Sequence, residues 1–159
     1  MPALREALGQ AGYGDVQTYV QSGNVVLSSD SSPEELADHV HGLIAENFEL
    51  DIAVVVRTHE ELVAVVKRDP LGKVASDPKR YLVSFLSAEP DPDAVERVRD
   101  AGVGEERVVL KGRELYAWLP DGVGRSKLWA ALASGRMGVD ATARNWATVT
   151  RLLAISSAV

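Results

Sequence analysis

Apolar residues at Leu4, Ala7, Leu8 and Ala11 follow helical spacing and Gly12 and Gly14 break it, so the chain opens with a predicted short helix over residues 2–11. Pro2 suits the first turn of such a helix, where no backbone N–H is required. The pattern then changes period. Residues 16–21 and 24–28 are rich in β-branched and aromatic side chains and meet at Ser22-Gly23-Asn24, which predicts a tight hairpin. Ser32-Pro33-Glu34-Glu35 joins a capping hydroxyl, a proline at the first helical position and acids at the positive dipole end. It predicts a helix running to Phe48, with Leu36, Val40, Leu43, Ile44 and Phe48 as its buried stripe. DIAVVV at residues 51–56 reads as a buried strand, and residues 59–67 as a short linking helix.

Residues 69–78 hold two Asp-Pro steps and a glycine between apolar segments, the composition of a linker. After it the pattern restarts. Residues 80–87 predict a strand, 91–101 a helix opened by Asp-Pro-Asp, and 107–110 and 114–119 two strands about the turn Lys111-Gly112-Arg113. Beyond Pro120-Asp121-Gly122 comes a helix with Leu128 and Leu132 facing the core and Gly135 stopping it. A strand over residues 139–143 and a last helix over 146–156, burying Val149, Leu152 and Leu153, complete the chain. Residues 80–144 thus read β-α-β-β-α-β, and residues 2–56 read α-β-β-α-β, the same unit without its opening strand. Right-handed crossovers turn such a unit into an antiparallel sheet with helices on one face. The expected fold is α+β, with two ferredoxin-like lobes. The first, residues 1–68, is incomplete and carries the linking helix; a linker spans 69–79, and the second lobe, 80–159, ends in a C-terminal helix.

At 159 residues and 46% hydrophobic, the chain has material for one compact domain or two small joined lobes. It has no cysteine, which excludes disulfides and thiolate zinc sites and fits a reducing compartment. No apolar run reaches membrane-spanning length, and MPALREALGQ has neither the charged start nor the apolar core of a signal peptide. The expectation is a cytoplasmic protein with no membrane partner. A net charge of −6 argues against a general nucleic-acid binder, yet the charge is uneven. Residues 1–106 hold 9 Lys and Arg against 20 Asp and Glu, whereas residues 107–159 hold 8 against 3, leaving the last part locally basic.

That basic part carries the chain's most specific polar chemistry. Gly122 and Gly124 precede a predicted helix, whose start offers backbone N–H groups and the positive dipole end to an anion. Arg125 adds a bidentate fork, Lys127 a point charge, and Trp129, four residues from Arg125, a ring on which a base can stack. Arg144 and Asn145, at the next strand-to-helix junction, are candidates to close the site. The spacing is neither a Walker loop nor a dinucleotide fingerprint. A competing structural reading makes the glycines caps and turns, pairs Arg125 with a carboxylate, buries Trp129 and Trp146, and makes Asn145 a helix N-cap. In the first hairpin, Tyr19, Gln21 and Asn24 are candidate pocket residues, or else they satisfy the turn backbone. His39 and His41 are two apart and point to different faces, and His59-Glu60-Glu61 lacks the second histidine of a metalloprotease helix, so no metal or cofactor is expected.

Three stretches together carry a family resemblance: TYVQSGNVVL at 18–27, GVGRSKL at 122–128 and TARNWATV at 142–149. In this order they resemble the bacterial domain of unknown function 1697 over essentially the whole chain. The resemblance implies two ferredoxin-like lobes and no established activity. Members open with a hydrophobic strand running into an Arg-Gly and Gly-rich turn, whereas here Met1 stands at the first helix. That strand is central in a ferredoxin-like sheet, so a gap with unpaired neighbours is expected. Either the true start lies upstream or this lobe is rearranged.

Three functions are compatible with these residues. The leading one is a binding module for a phosphate-bearing or other anionic ligand, a nucleotide or short RNA, held by Arg125, Lys127 and Arg144. The second is an enzyme acting on a small phosphorylated or carboxylated substrate, for which Ser22, Ser126 and Tyr19 are nucleophile candidates by type alone. The third is an interaction protein that forms a homodimer through its lobes or sheet edges.

Overall fold

The computed structural model describes residues 2–19, 23–102, 104–133 and 137–157. Among them it is a mixed α/β structure with six α-helices and two antiparallel sheets. The chain divides into two compact units, residues 1–63 with 150–159, and residues 64–149.

In the first unit, helix α1 (Pro2–Gln10) is followed by strands β1 (Gly14–Tyr19) and β2 (Asn24–Ser28), which pair antiparallel as a two-stranded sheet. Tyr19 pairs with Asn24, whose side-chain amide donates to the Tyr19 carbonyl at 3.1 Å and closes the hairpin. Gln21 and Ser22 lie outside the described residues. Helix α2 (Pro33–Phe48) begins as its sequence predicts: the Ser32 hydroxyl accepts from the Glu35 N–H at 3.2 Å and Pro33 takes the first turn. It ends at Glu49 in a left-handed conformation (φ 54), whose N–H reaches the Ala45 carbonyl. Of the predicted stripe only Leu43 is buried.

The strand expected over residues 51–56 does not form: no strand is assigned there, and helix α3 (His59–Arg68) is the next element. An apolar, β-branched run becomes a strand only when a neighbour completes its hydrogen-bond ladder. Among the described residues this segment has no such neighbour.

The second unit is built on strand β3 (Tyr81–Leu86), buried at all six positions. Helix α4 (Pro92–Ala101) follows, with Asp91 accepting from the Asp93 N–H at 3.0 Å as its N-cap. Strands β4 (Arg107–Lys111) and β5 (Glu114–Trp118) form a hairpin whose turn places Gly112 at φ +61, a conformation suited to glycine. Helix α5 (Lys127–Ala133), strand β6 (Ala141–Asn145) and helix α6 (Trp146–Ser156) complete the chain. The predicted strand over 139–143 therefore sits two residues further on. Residues 134–136, and with them the expected stop at Gly135, lie outside the described residues.

The sheet order is β4-β5-β3-β6, every pair antiparallel. Alternation sends Leu82, Val108, Leu115 and Ala117 to one face, where Val95 and Val98 of α4 and Leu128 and Leu132 of α5 join them in one core. The opposite face carries Tyr81, Val83, Phe85 and Tyr116. Tyr81 stacks on Trp146 with ring centroids 4.7 Å apart and planes at 20°. Both tyrosine hydroxyls are satisfied: Tyr81 donates to Asp69 at 2.9 Å, and Tyr116 to the Val65 carbonyl at 2.8 Å. Arg68 pairs with the buried carboxylate of Glu114 at 3.0 Å.

Candidate functional site

The glycine turn before α5 forms much as its residues dictate. Gly122 has φ 83, and its N–H bonds the Leu119 carbonyl at 2.9 Å, turning the chain out of β5. A single 3₁₀ turn, Val123–Arg125, contains Gly124 and leads into the helix. Ser126 is buried and caps α5, its hydroxyl accepting from the Trp129 N–H at 2.9 Å while it donates to the Glu106 carboxylate. A negative charge of the protein itself therefore stands at the start of this helix. Glu106 lies twenty residues upstream on a different connection, and no local pattern in the sequence pointed to it.

Arg125 and Lys127 are both exposed, and neither takes part in an ion pair among the described residues. Trp129 is half-buried and packs against the core of the second unit. Arg144 sits opposite Val83 in β6, on the face of the sheet away from Leu82, α4 and α5. Its guanidinium donates to the Ala143 carbonyl at 2.7 Å, and burial lowers its pKa from the ordinary value. Asn145 accepts from the Thr148 N–H at 2.9 Å and is the N-cap of α6. The structure thus brings Gly122, Gly124, Arg125 and Lys127 together on one exposed turn and sets Arg144 on the opposite face of the sheet.

In the first unit, Tyr19 is half-buried and Asn24 buried, both engaged in the hairpin closure. An open cleft of about 440 Å³ lies elsewhere in that unit, lined by Tyr13, Ser28, Ser29, Asp30, Ser31 and His39. The Tyr13 hydroxyl and His39 Nδ1 are hydrogen-bonded across it. His41 turns instead to Asp51 at 2.8 Å, so the two histidines do diverge as their spacing predicts. His59 Nδ1 bonds the Ser156 hydroxyl at 2.8 Å. Among the described residues no three His, Asp or Glu side chains are grouped to hold a metal ion, and no helix is long and apolar enough to cross a membrane. The Tyr13–His39 pair escaped the sequence because its partners are 26 residues apart and meet only through tertiary packing, in which α1 lies against α2.

Fold and site define a mixed α/β protein with two antiparallel sheets and an exposed basic turn. The chain belongs to the family described as "Protein of unknown function (DUF1697)", whose pattern matches residues 1–116. Its fold is similar to that of a conserved bacterial protein from Streptococcus pneumoniae, with a TM-score of 0.75 at 19% identity, over 98% of this chain and 88% of that one. At that identity the likeness is one of fold. No curated protein is significantly similar to it in sequence.

Proposed function

We propose that this protein is a cytoplasmic binding module for an anionic, phosphate-bearing ligand, a nucleotide or short RNA, held at the turn Gly122 to Lys127. The observation that carries the reading is the pair Arg125 and Lys127, two exposed cations outside any ion pair among the described residues, on a glycine turn in the basic part of the chain. Glu106 already neutralises the start of α5, so the ligand is held by the side-chain cations rather than by the helix end. Trp129, Arg144 and Asn145 then support the frame, and Tyr19, Gln21 and Asn24 belong to the first hairpin. The finer description of the fold, two ferredoxin-like lobes, is part of the same proposal. In the second unit it is supported by the order β4-β5-β3-β6 with α4 and α5 on one face.

The test is a thermal-shift series with nucleotides, sugar phosphates and short RNA at low and moderate salt, run beside the Arg125→Ala/Lys127→Ala double variant. A ligand at about a hundred times its dissociation constant adds roughly 2.7 kcal/mol, a shift of several degrees. The expected result is a salt-sensitive shift absent from the folded double variant. A cooperative melt unmoved by every anion would remove this reading. One observation favours homodimerisation as a second reading: β2 pairs along one side only among the described residues. An enzyme reading has no comparable support.

A further inference from the structure

The way helix α1 ends places Tyr13. The Gly12 N–H bonds the Gly9 carbonyl at 3.1 Å and the Tyr13 N–H bonds the Leu8 carbonyl at 3.3 Å, with Gly12 at φ 98. This is the Schellman arrangement, in which a glycine of positive φ folds the chain back over the last helical turn. His39 is placed separately, about two turns into α2, whose start is set by the Ser32 cap. The two backbones bring a phenol and an imidazole together. Their ring centroids lie 5.5 Å apart with planes at 53°, and the Tyr13 hydroxyl is hydrogen-bonded to His39 Nδ1. Tyr13 is half-buried and His39 exposed, so the pair is both held and reachable.

Of these two neutral groups the phenol O–H is the stronger acid and the bare imidazole nitrogen the stronger acceptor. Tyr13 therefore donates, and the imidazole proton stands on Nε2. A hydroxyl that donates to a general base is the arrangement that activates a nucleophile. The other hydroxyls of the cleft beside this pair lack such a partner. Ser28 donates to the Asp15 carboxylate at 3.2 Å, a weaker base than imidazole, and the Ser29 hydroxyl accepts from the Ser31 N–H at 3.1 Å. Among the described residues no lysine or arginine lines the cleft, whereas the Asp30 carboxylate does. An electrophile carrying a phosphate or carboxylate is repelled there, and an uncharged one is not.

We propose that Tyr13 is a base-activated nucleophile that accepts an acyl group from an uncharged ester. The phenol oxygen attacks the ester carbonyl while its proton passes to His39 Nδ1. A new C–O bond forms, the ester C–O bond breaks, and the departing alkoxide or phenoxide takes the proton back from the imidazolium. The products are a tyrosyl ester and a free alcohol or phenol, and no oxidant or reductant is needed. This site lies within the first unit and uses none of the residues of the turn at 122–127.

The test exposes the chain to p-nitrophenyl acetate and to acetyl phosphate, which carry the same acyl group on an uncharged and an anionic donor. Peptide mass mapping follows acetylation of Tyr13 and of Tyr19, which is also half-buried but has no histidine partner among the described residues. Each rate is divided by that of N-acetyltyrosinamide with the same donor. The expected result is acetylation of Tyr13 by the ester at least about a hundredfold faster than this reference, the gain a positioned base supplies, with Tyr19 near or below it. Acetyl phosphate should show at least about tenfold less of that gain. His39→Gln keeps a hydrogen-bond acceptor but no base and should return Tyr13 to the reference rate; free imidazole should restore part of the gain in His39→Ala. A wild-type Tyr13 no faster than the reference overturns the proposal whatever the variants do, and so does an undiminished rate in a folded His39→Gln protein. Equal gain from both donors overturns the assignment of an uncharged substrate and the proposal with it.

Discussion

Tyr116 shows how much a single side chain can report about the second unit. It is fully buried, and burial is the largest cause that pushes its phenol pKa from 10.0 to about 12; Arg68 opposes the rise and Glu114 adds to it. The native state therefore keeps a proton that the unfolded chain releases near pH 10, so unfolding is favoured as pH rises from about 10 towards 12. Tyr81 is shifted the same way, by burial first and then by its hydrogen bond to Asp69. Urea titrations at pH 9 and pH 11 should show stability fully present at the lower pH and reduced by roughly 2–3 kcal/mol at the higher, about 1.4 kcal/mol for each pH unit per tyrosine. Tyr116→Phe should flatten part of that slope; an unchanged slope would contradict the assignment. Among single residues, those acting on their own backbone neighbourhood were legible in the sequence. Ser32, Asp91 and Asn145 cap the helices that follow them because a short polar side chain reaches an N–H two or three residues on. Glu106 on Ser126 and Tyr13 on His39 were not legible, because each pair is made by tertiary packing.

The elements differ in how far their own sequence fixes them. Helices α2, α4 and α6 begin where their caps place them, and the β4–β5 hairpin turns where Gly112 allows a positive φ. Residues 51–56 failed as a strand although their composition is more strand-like than that of β6, which succeeded. Strand formation is decided by the neighbour, and β6 has β3. The same contrast governs the cost of truncation. Leu128 of α5 is 1% exposed within the core of the second unit, so Leu128→Ala should cost about 2–5 kcal/mol, read from denaturant midpoints at constant slope. Val26 in β2 is only partly buried, and Val26→Ala should cost about 1 kcal/mol or less. If the two costs are equal, β2 is covered more completely than its exposure indicates.

Across the molecule, buried apolar side chains are concentrated in residues 64–149, and stability should be distributed the same way. Native-state hydrogen exchange should find β3 and β5 amides most protected and β1–β2 amides at least about tenfold less so. A first hairpin as protected as β3 would refute this. The alternation of hydrophobic and polar residues, the caps and the turn glycines were enough to establish the order of the six helices and of the six strands that form, and the concentration of cations in residues 107–159, because each of these is a local property of the chain. The sequence could not tell which segments would find partners. Packing sent Arg144 to the face of the sheet away from α5 and set Glu106 at the start of that helix; the absence of a ladder left residues 51–56 unpaired. Hydrogen-bonded neighbours, burial and the face a side chain takes depend on residues far away in the chain, and only the folded structure brings those residues together.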